Sequence, residues 1–263
     1  MKIKYEGRGY ECVLRDGLSE SDTVYENHCH PFYEIIMVVC GKIAISIEDK
    51  RFTVSAGEIV FIRPAEYHSF FSLDEAQYRR FTLLFEDSLI PVGIRDRLLS
   101  KTEISPVCHH SDMAALFSRL DGALRRDNVE DYSRLIDAII TELFYIIADA
   151  SVFSDEEDSD GILQSILEYI AEHITERVLL EDVAAHVLLS KSAVCHIFKN
   201  RMNTSPKQYI LQKKITYAAG LIKKGASANE AARMVGYENY AGFYKMYKKF
   251  LSEAPSERKD RYG

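Results

Sequence analysis

The residues best suited to chemistry lie near the N-terminus: His28, His30 and Glu34, joined further along by His68. His28, His30 and Glu34 share parity, so on an extended strand all three side chains project to one side. Three imidazoles and a carboxylate form a sound ligand set for a divalent metal, with His68 as the fourth donor. The same groups can instead hydrogen-bond a small polar effector, or one another, and both readings stay open on the sequence. No nucleophile paired with a base stands out. The five cysteines, Cys12, Cys29, Cys40, Cys108 and Cys195, are scattered and form no Cys-x-x-Cys pair. A disulfide framework or thiolate zinc site is therefore not expected, and most read as small buried hydrophobes.

Elements must position that cluster, and the first ~85 residues read as short strands between turns. Ile35-Ile36-Met37-Val38-Val39 is a buried run; Ile43, Ile45 and Ile47 alternate with Ala44, Ser46 and Glu48; Asp49-Lys50 offers a turn into Phe52 and Val54. Ile59 to Ile62 follows Gly57, and Phe81, Leu83 and Phe85 alternate again. Short strands at regular spacing predict a small barrel or sandwich. From Asp112 the period turns helical, with Met113, Leu116, Leu120 and Leu124 on one face. Tyr132, Ile136, Ile139, Leu143 and Ile146 then follow at spacings of 4, 3, 4 and 3. This second set reads either as a short dimerisation seam or as a face packed on the chain's own barrel.

With 263 residues, 47% of them hydrophobic and 28% charged, the chain suits two ordinary globular domains. Its start lacks the apolar stretch of a signal peptide, so a cytoplasmic protein is expected. The net charge of −7 divides unevenly. Residues 161–263 hold 16 Lys and Arg against 10 Asp and Glu, whereas residues 1–160 hold 17 against 30. Such asymmetry suggests that the C-terminal part meets phosphate. The change falls at an acidic, serine-rich stretch, 151–160, which reads as a linker between a first domain, 1–150, and a second, 161–263.

In the second domain Ile162, Leu163, Ile166, Leu167, Ile170 and Ile174 define an amphipathic helix. A short helix around Ala184 follows, then Ser190 as N-cap of a helix from Lys191 to Met202. There Val194, Ile197 and Phe198 share one face, leaving Ser192, Cys195, His196 and Lys199 toward the other. The unit recurs: Ala232 stands 48 residues after Ala184, while Phe243 and Tyr247 stand 49 after Val194 and Phe198. The second turn is one residue longer. Gly236 suits positive φ there, and Asn239 suits an N-cap. Between the copies Pro206 to Lys224 reads as one long helix, with Ile210, Ile215, Ala218, Leu221 and Ile222 available to both units. At ~1.5 Å per residue it approaches one turn of DNA in length, so two recognition helices can enter successive major grooves.

Through Leu180-Glu181-Asp182-Val183-Ala184, Ser190, Phe198-Lys199, Ser205-Pro206, Gly236-Tyr237, Phe243 and Tyr247-Lys248-Lys249-Phe250 the chain resembles the AraC/XylS family of transcription regulators. Asn203 and Ser252 stand where that family usually has glycine, and Arg258 replaces a common tyrosine. By position, the resemblance implies base-reading roles for Ser192, Cys195 and His196 in the first recognition helix and for Tyr240, Ala241, Tyr244 and Lys245 in the second. Lys199, Lys214 and Lys248 fall to phosphate. His28-x-His30-x3-Glu34-x6-Gly41 matches the first cupin motif, and Gly57 to His68 resembles the second, with Ala65 at its glycine and Arg63 at a frequent proline.

The fold implied is α+β in two domains: an N-terminal cupin-like β-barrel followed by dimerisation helices, and a C-terminal all-α double helix-turn-helix. The function implied is a DNA-binding transcription regulator, not an enzyme, working as a homodimer. It would answer a small-molecule effector, a carbohydrate by family analogy, and His28, His30, Glu34 and His68 would bind either that effector or a divalent metal cofactor. A cupin metalloenzyme carrying a nucleic-acid domain, and a DNA-binding protein whose barrel only dimerises, are the alternatives; the basic repeat counts against the enzyme.

Overall fold

The computed structural model describes residues 2–17, 27–73, 78–104, 107–152, 161–251 and 253–256. Eight strands come first: β1 (Lys2–Gly7), β2 (Tyr10–Asp16), β3 (Tyr33–Cys40), β4 (Lys42–Ile47), β5 (Lys50–Ser55), β6 (Glu58–Ile62), β7 (His68–Ser72) and β8 (Arg79–Phe85). Helix α1 (Arg95–Ile104), strand β9 (Val107–His109), helices α2 (Met113–Leu124) and α3 (Ser133–Asp149) and strand β10 (Ser151–Val152) complete the first domain. A large sheet runs β1-β2-β8-β3-β6-β9-β10 and a small one β5-β4-β7. They face each other as an open barrel.

The unbroken apolar runs of β3 and β6 follow from burial on both faces. Ile36, Val38, Val60 and Ile62 point between the sheets and meet Ile43, Ile45, Phe52, Val54 and Phe70. Ile35, Met37, Ile59 and Phe61 point the other way, onto the helices. Ile136, Ile139 and Leu143 of α3 are wholly buried in that outer layer, and Ile146 nearly so. The 4-3-4-3 stripe therefore packs on its own sheet, the second of the two readings its spacing allowed. The domain's own apolar surface claims the stripe first, as amphipathic helices usually allow.

Two details differ from the sequence reading. The β4–β5 turn falls at Glu48-Asp49, one residue early, with Glu48 in left-handed backbone (φ 52°) and Ile47 opposite Lys50. The expected linker begins inside the sheet, because β10 pairs with β9, Ser151 opposite His109; its remainder, 153–160, lies outside the described residues. Helix α1 escaped the periodicity reading because its 10 residues carry few apolar side chains.

The second domain holds α4 (Gly161–Glu172), α5 (Leu180–His186), α6 (Lys191–Met202), α7 (Pro206–Lys223), α8 (Ala228–Met234) and α9 (Tyr240–Leu251). Pro206 opens α7 where its missing N–H costs nothing, and the Ser205 hydroxyl accepts from the Gln208 N–H at 3.2 Å. Helix α7 belongs to both units. Tyr209 and Ile210 join Leu163, Ile166, Val183, Val194 and Phe198; Ile215, Ala218, Ala219 and Ile222 join Ala231, Ala232, Phe243 and Tyr247.

Candidate DNA interface and sensor site

Each half of the repeat makes the same turn with the same bonds. After α5 the Leu188 N–H reaches the Ala185 carbonyl and the Leu189 N–H the Ala184 carbonyl; after α8 Gly236 reaches Arg233 and Tyr237 reaches Ala232. Leu188 (φ 56°) and Gly236 (φ 77°), 48 residues apart, both adopt left-handed backbone. The first copy thus holds a leucine, 91% exposed, in a conformation that favours glycine. The recognition helices begin with caps: Ser190 Oγ accepts from the Ala193 N–H at 3.1 Å, and Asn239 Oδ1 from the Ala241 N–H at 2.8 Å. Asn203 terminates α6 in left-handed backbone (φ 47°). Ser252 and Arg258 lie outside the described residues.

Buried Val194, Phe198 and Met202 seat α6 on its unit, and buried Phe243 and Tyr247 seat α9. That seating leaves Ser192, Cys195, His196 and Lys199 exposed on α6, and Tyr240, Ala241, Tyr244, Lys245 and Lys248 exposed on α9. His196 shares a 2.8 Å hydrogen bond with the Asn200 side chain one turn on, which fixes the ring against the helix surface. Tyr240 and Tyr244 stand side by side, ring centroids 6.4 Å apart.

Lys214 is elsewhere. Only 7% exposed, its ammonium donates to the Glu176 carbonyl and to the Val235 carbonyl, the latter at 2.7 Å. Burial holds its pKa below the ordinary lysine value. The expected phosphate contact is corrected to an internal staple that ties the chain after α4 and the end of α8 to α7. Helix C-terminal carbonyls attract a cation for the same reason a phosphate would, and spacing along α7 cannot tell the two apart. Gly236 leaves room for this staple, since a Cβ there would stand 3.3 Å from Lys214 Nζ.

The N-terminal cluster assembles from three segments. His28 and His68 exchange backbone hydrogen bonds at 3.0 and 2.8 Å, Glu34 is the second residue of β3, and His68 begins β7. Ligand atoms of His28, His30 and His68 lie within 4.8 Å of one another. Glu34 Oε2 is 2.9 Å from His30 Nε2 and 3.1 Å from His68 Nε2. The other nitrogens face carbonyls, His30 Nδ1 that of Phe32 at 3.1 Å and His68 Nδ1 that of Glu66 at 2.9 Å. A carbonyl only accepts, so each Nδ1 carries a proton and each Nε2 presents its lone pair to the carboxylate unless a proton or a metal ion intervenes. His68 Nε2 is buried without a well-directed hydrogen bond. Burial alone would raise the Glu34 carboxyl, yet the contacts of His30 and His68 hold it well below the usual carboxylate range. Burial alone would lower His68, and Glu34 raises it.

A third set of contacts escaped the sequence reading and joins the two domains. Lys213 Nζ meets Glu48 Oε1 at 2.5 Å and the Ala65 carbonyl at 2.6 Å; the Tyr209 hydroxyl donates to Glu48 Oε2 at 2.7 Å. Cys29 Sγ lies 3.4 Å from Thr216 Oγ1, and the Asn27 amide donates to the Met202 carbonyl. Lys223 Nζ lies 3.1 Å from Glu86. These partners are 137 to 187 residues apart in sequence, and no local pattern announces them. Tyr209, Lys213, Thr216 and Lys223 do fall at spacings of 4, 3 and 7, but a polar stripe on a helix reads as a solvated face.

A ligand-binding barrel joined to two helix-turn-helix units with exposed polar faces defines a sensor that binds DNA. The model of the AraC-like ligand binding domain matches residues 10–144, and that of a helix-turn-helix domain matches 183–261. The chain belongs to the AraC family of transcription regulators, proteins that bind DNA and are not enzymes. It is 22% identical to the probable transcriptional regulator LumQ of Photobacterium leiognathi, over 87% of this chain and 90% of that protein. Identity to the HTH-type transcriptional activator RhaR of Mannheimia succiniciproducens is 24%, over 89% and 87%. Among solved structures, apo ToxT K231A from Vibrio cholerae superposes with a TM-score of 0.44 at 14% identity, covering 98% of this chain and all of that one. Among the described residues, no helix is long and apolar enough to cross a membrane.

Proposed function

We propose that this regulator reads DNA with the exposed faces of α6 and α9 and is switched by a divalent metal ion at His28, His30, Glu34 and His68. One observation supports the metal reading: the Nε2 atoms of His30 and His68, each ring held by an Nδ1–carbonyl bond, converge on the Glu34 carboxylate, and a ring nitrogen of His28 lies within 4.8 Å of theirs. Metal-bound histidines are held in this way, the far nitrogen donating to a backbone carbonyl. Bringing the nitrogens from within 4.8 Å to the ~3.3 Å of a tetrahedral site is a short contraction, shared between the side chains and the segments that carry them. A carbohydrate effector has less support, because Ile36, Val38, Ile45, Val54, Val60 and Phe70 fill the space between the sheets. Elemental analysis of protein purified without a His-tag and then dialysed against zinc should find about one ion per chain. Far less than one, or an equal content in the His30→Ala and His68→Ala proteins, would overturn the reading.

On DNA, Lys245 suits guanine O6 and N7, Ser192 several base edges, and Ala241 a thymine methyl. Cys195, His196, Tyr240 and Tyr244 complete the two faces, while Lys199 and Lys248 suit phosphate. With one strong guanine reader, a monomer would bind modestly, which favours a homodimer. Since the inner stripe of α3 is buried, the surface left for a second copy is the outer one, Leu135, Ala138 and Tyr145, where Leu135 is 44% and Tyr145 45% exposed. Sedimentation of a Leu135→Glu, Tyr145→Glu chain tests this: the wild type should dimerise and the variant should not.

A further inference from the structure

The segments carrying the N-terminal cluster are the same segments that grip the DNA-binding domain. Along 27–30 the side chains alternate: His28 and His30 turn toward the cluster, while Asn27 and Cys29 turn toward the end of α6 and the middle of α7. Along 65–68 the Ala65 N–H bonds the His30 carbonyl at 2.8 Å, and the Ala65 carbonyl takes Lys213. Tyr67 presents its N–H to Glu48 at 2.8 Å and its ring edge-on to Tyr209, centroids 5.3 Å apart, and His68 returns to the cluster. Cys29 and Tyr67 are buried within the core of the first helix-turn-helix unit. The two barrel residues that hold Lys213, Glu48 (φ 52°) and Ala65 (φ 68°), both adopt left-handed backbone. Non-glycine residues keep such backbone only where their surroundings enforce it.

We propose that segments 27–30 and 65–68 relay the state of the His28/His30/Glu34/His68 cluster to the DNA-binding domain through a clamp closed on Lys213, Tyr209 and Thr216 of α7. The metal reading of the cluster underlies one arm of this inference. Seating an ion draws His28, His30 and His68 together. Their backbones carry Cys29 and Ala65, and any shift of those two reaches α7, the helix that sets one recognition helix against the other. Both DNA-facing surfaces stay exposed with the clamp closed. The clamp therefore acts on the relative placement of α6 and α9, not by covering them. Coupling of this kind is reciprocal: whatever factor the ion applies to DNA affinity, DNA applies to ion affinity.

The test uses the full chain, zinc as the probe, and duplex selected by the wild-type protein from random sequence. In the wild type, saturating zinc should change DNA affinity at least about five-fold, and DNA should change zinc affinity by the same factor. Breaking the clamp with Glu48→Gln plus Lys213→Met, or more gently with Tyr209→Phe plus Lys213→Gln, should leave both bindings in place and bring both factors below two-fold. A wild-type factor near one, or a factor unchanged in both clamp variants, overturns the relay while the metal reading stands. If zinc does not bind, the metal reading fails, and the relay is tested by His30→Ala alone. That substitution should shift DNA affinity at least about three-fold in the intact chain and less than two-fold in the clamp variants; equal shifts overturn it.

Discussion

Replacing Lys214 with methionine separates an internal staple from a DNA contact, because the two roles fail in different measurements. The methionine keeps the aliphatic stem and removes the ammonium that serves the Glu176 and Val235 carbonyls. A buried carbonyl left without a donor costs ~1–3 kcal/mol; two of them, one only part-buried, come to ~3 kcal/mol. Relief from burying the charge, the burial that also lowers the lysine pKa, offsets part of that. The net loss is then ~2 kcal/mol, about 30-fold in the folding equilibrium. Urea unfolding of the full chain reads the stability, and DNA binding at several salt concentrations reads the contact. The staple predicts a clear stability loss with an unchanged salt slope for the residual folded protein. A lysine on phosphate predicts the reverse, a slope smaller by ~0.9 and stability within about 0.5 kcal/mol of wild type. That second outcome would refute the assignment.

Three further outcomes follow from local geometry. Ser227 and Glu230 form a reciprocal capping box at the start of α8, so Ser227→Ala should cost ~1 kcal/mol in the same unfolding assay. Lys245→Ala should relax base preference at one position by ~1–3 kcal/mol, read by selection from random DNA, with the remaining positions unchanged. Asp16 is held below the ordinary carboxylate value: burial alone would raise it, but the bond from Arg125 and the charge of Arg79 lower it. Its contribution is therefore complete above about pH 4 and fades as the pH falls further, and Asp16→Asn should flatten the acid limb of a stability–pH curve.

The sequence by itself determined what depends on short-range pattern. Alternation in Ile43, Ile45 and Ile47 and in Phe81, Leu83 and Phe85 specified strands because every second side chain must be buried. The 48- and 49-residue offsets specified two helix-turn-helix units, and Gly236 announced the left-handed turn that Leu188 repeats at the same place without glycine. Motif spacing grouped His28, His30 and Glu34, but a bend at Pro31-Phe32, and not one continuous strand, separates the two histidines from Glu34 on β3. Only the tertiary structure decided which neighbour claims a surface. The α3 stripe has the same spacing whether it meets a second chain or its own sheet, and the sheet claims it. The ammonium of Lys214 suits a phosphate or backbone carbonyls, and burial beside α8 selects the carbonyls of Glu176 and Val235. The contacts between Glu48 and Lys213 and between Cys29 and Thr216 join residues more than 160 positions apart. Pairings of that separation depend on how two finished domains meet, and no spacing along the chain encodes them.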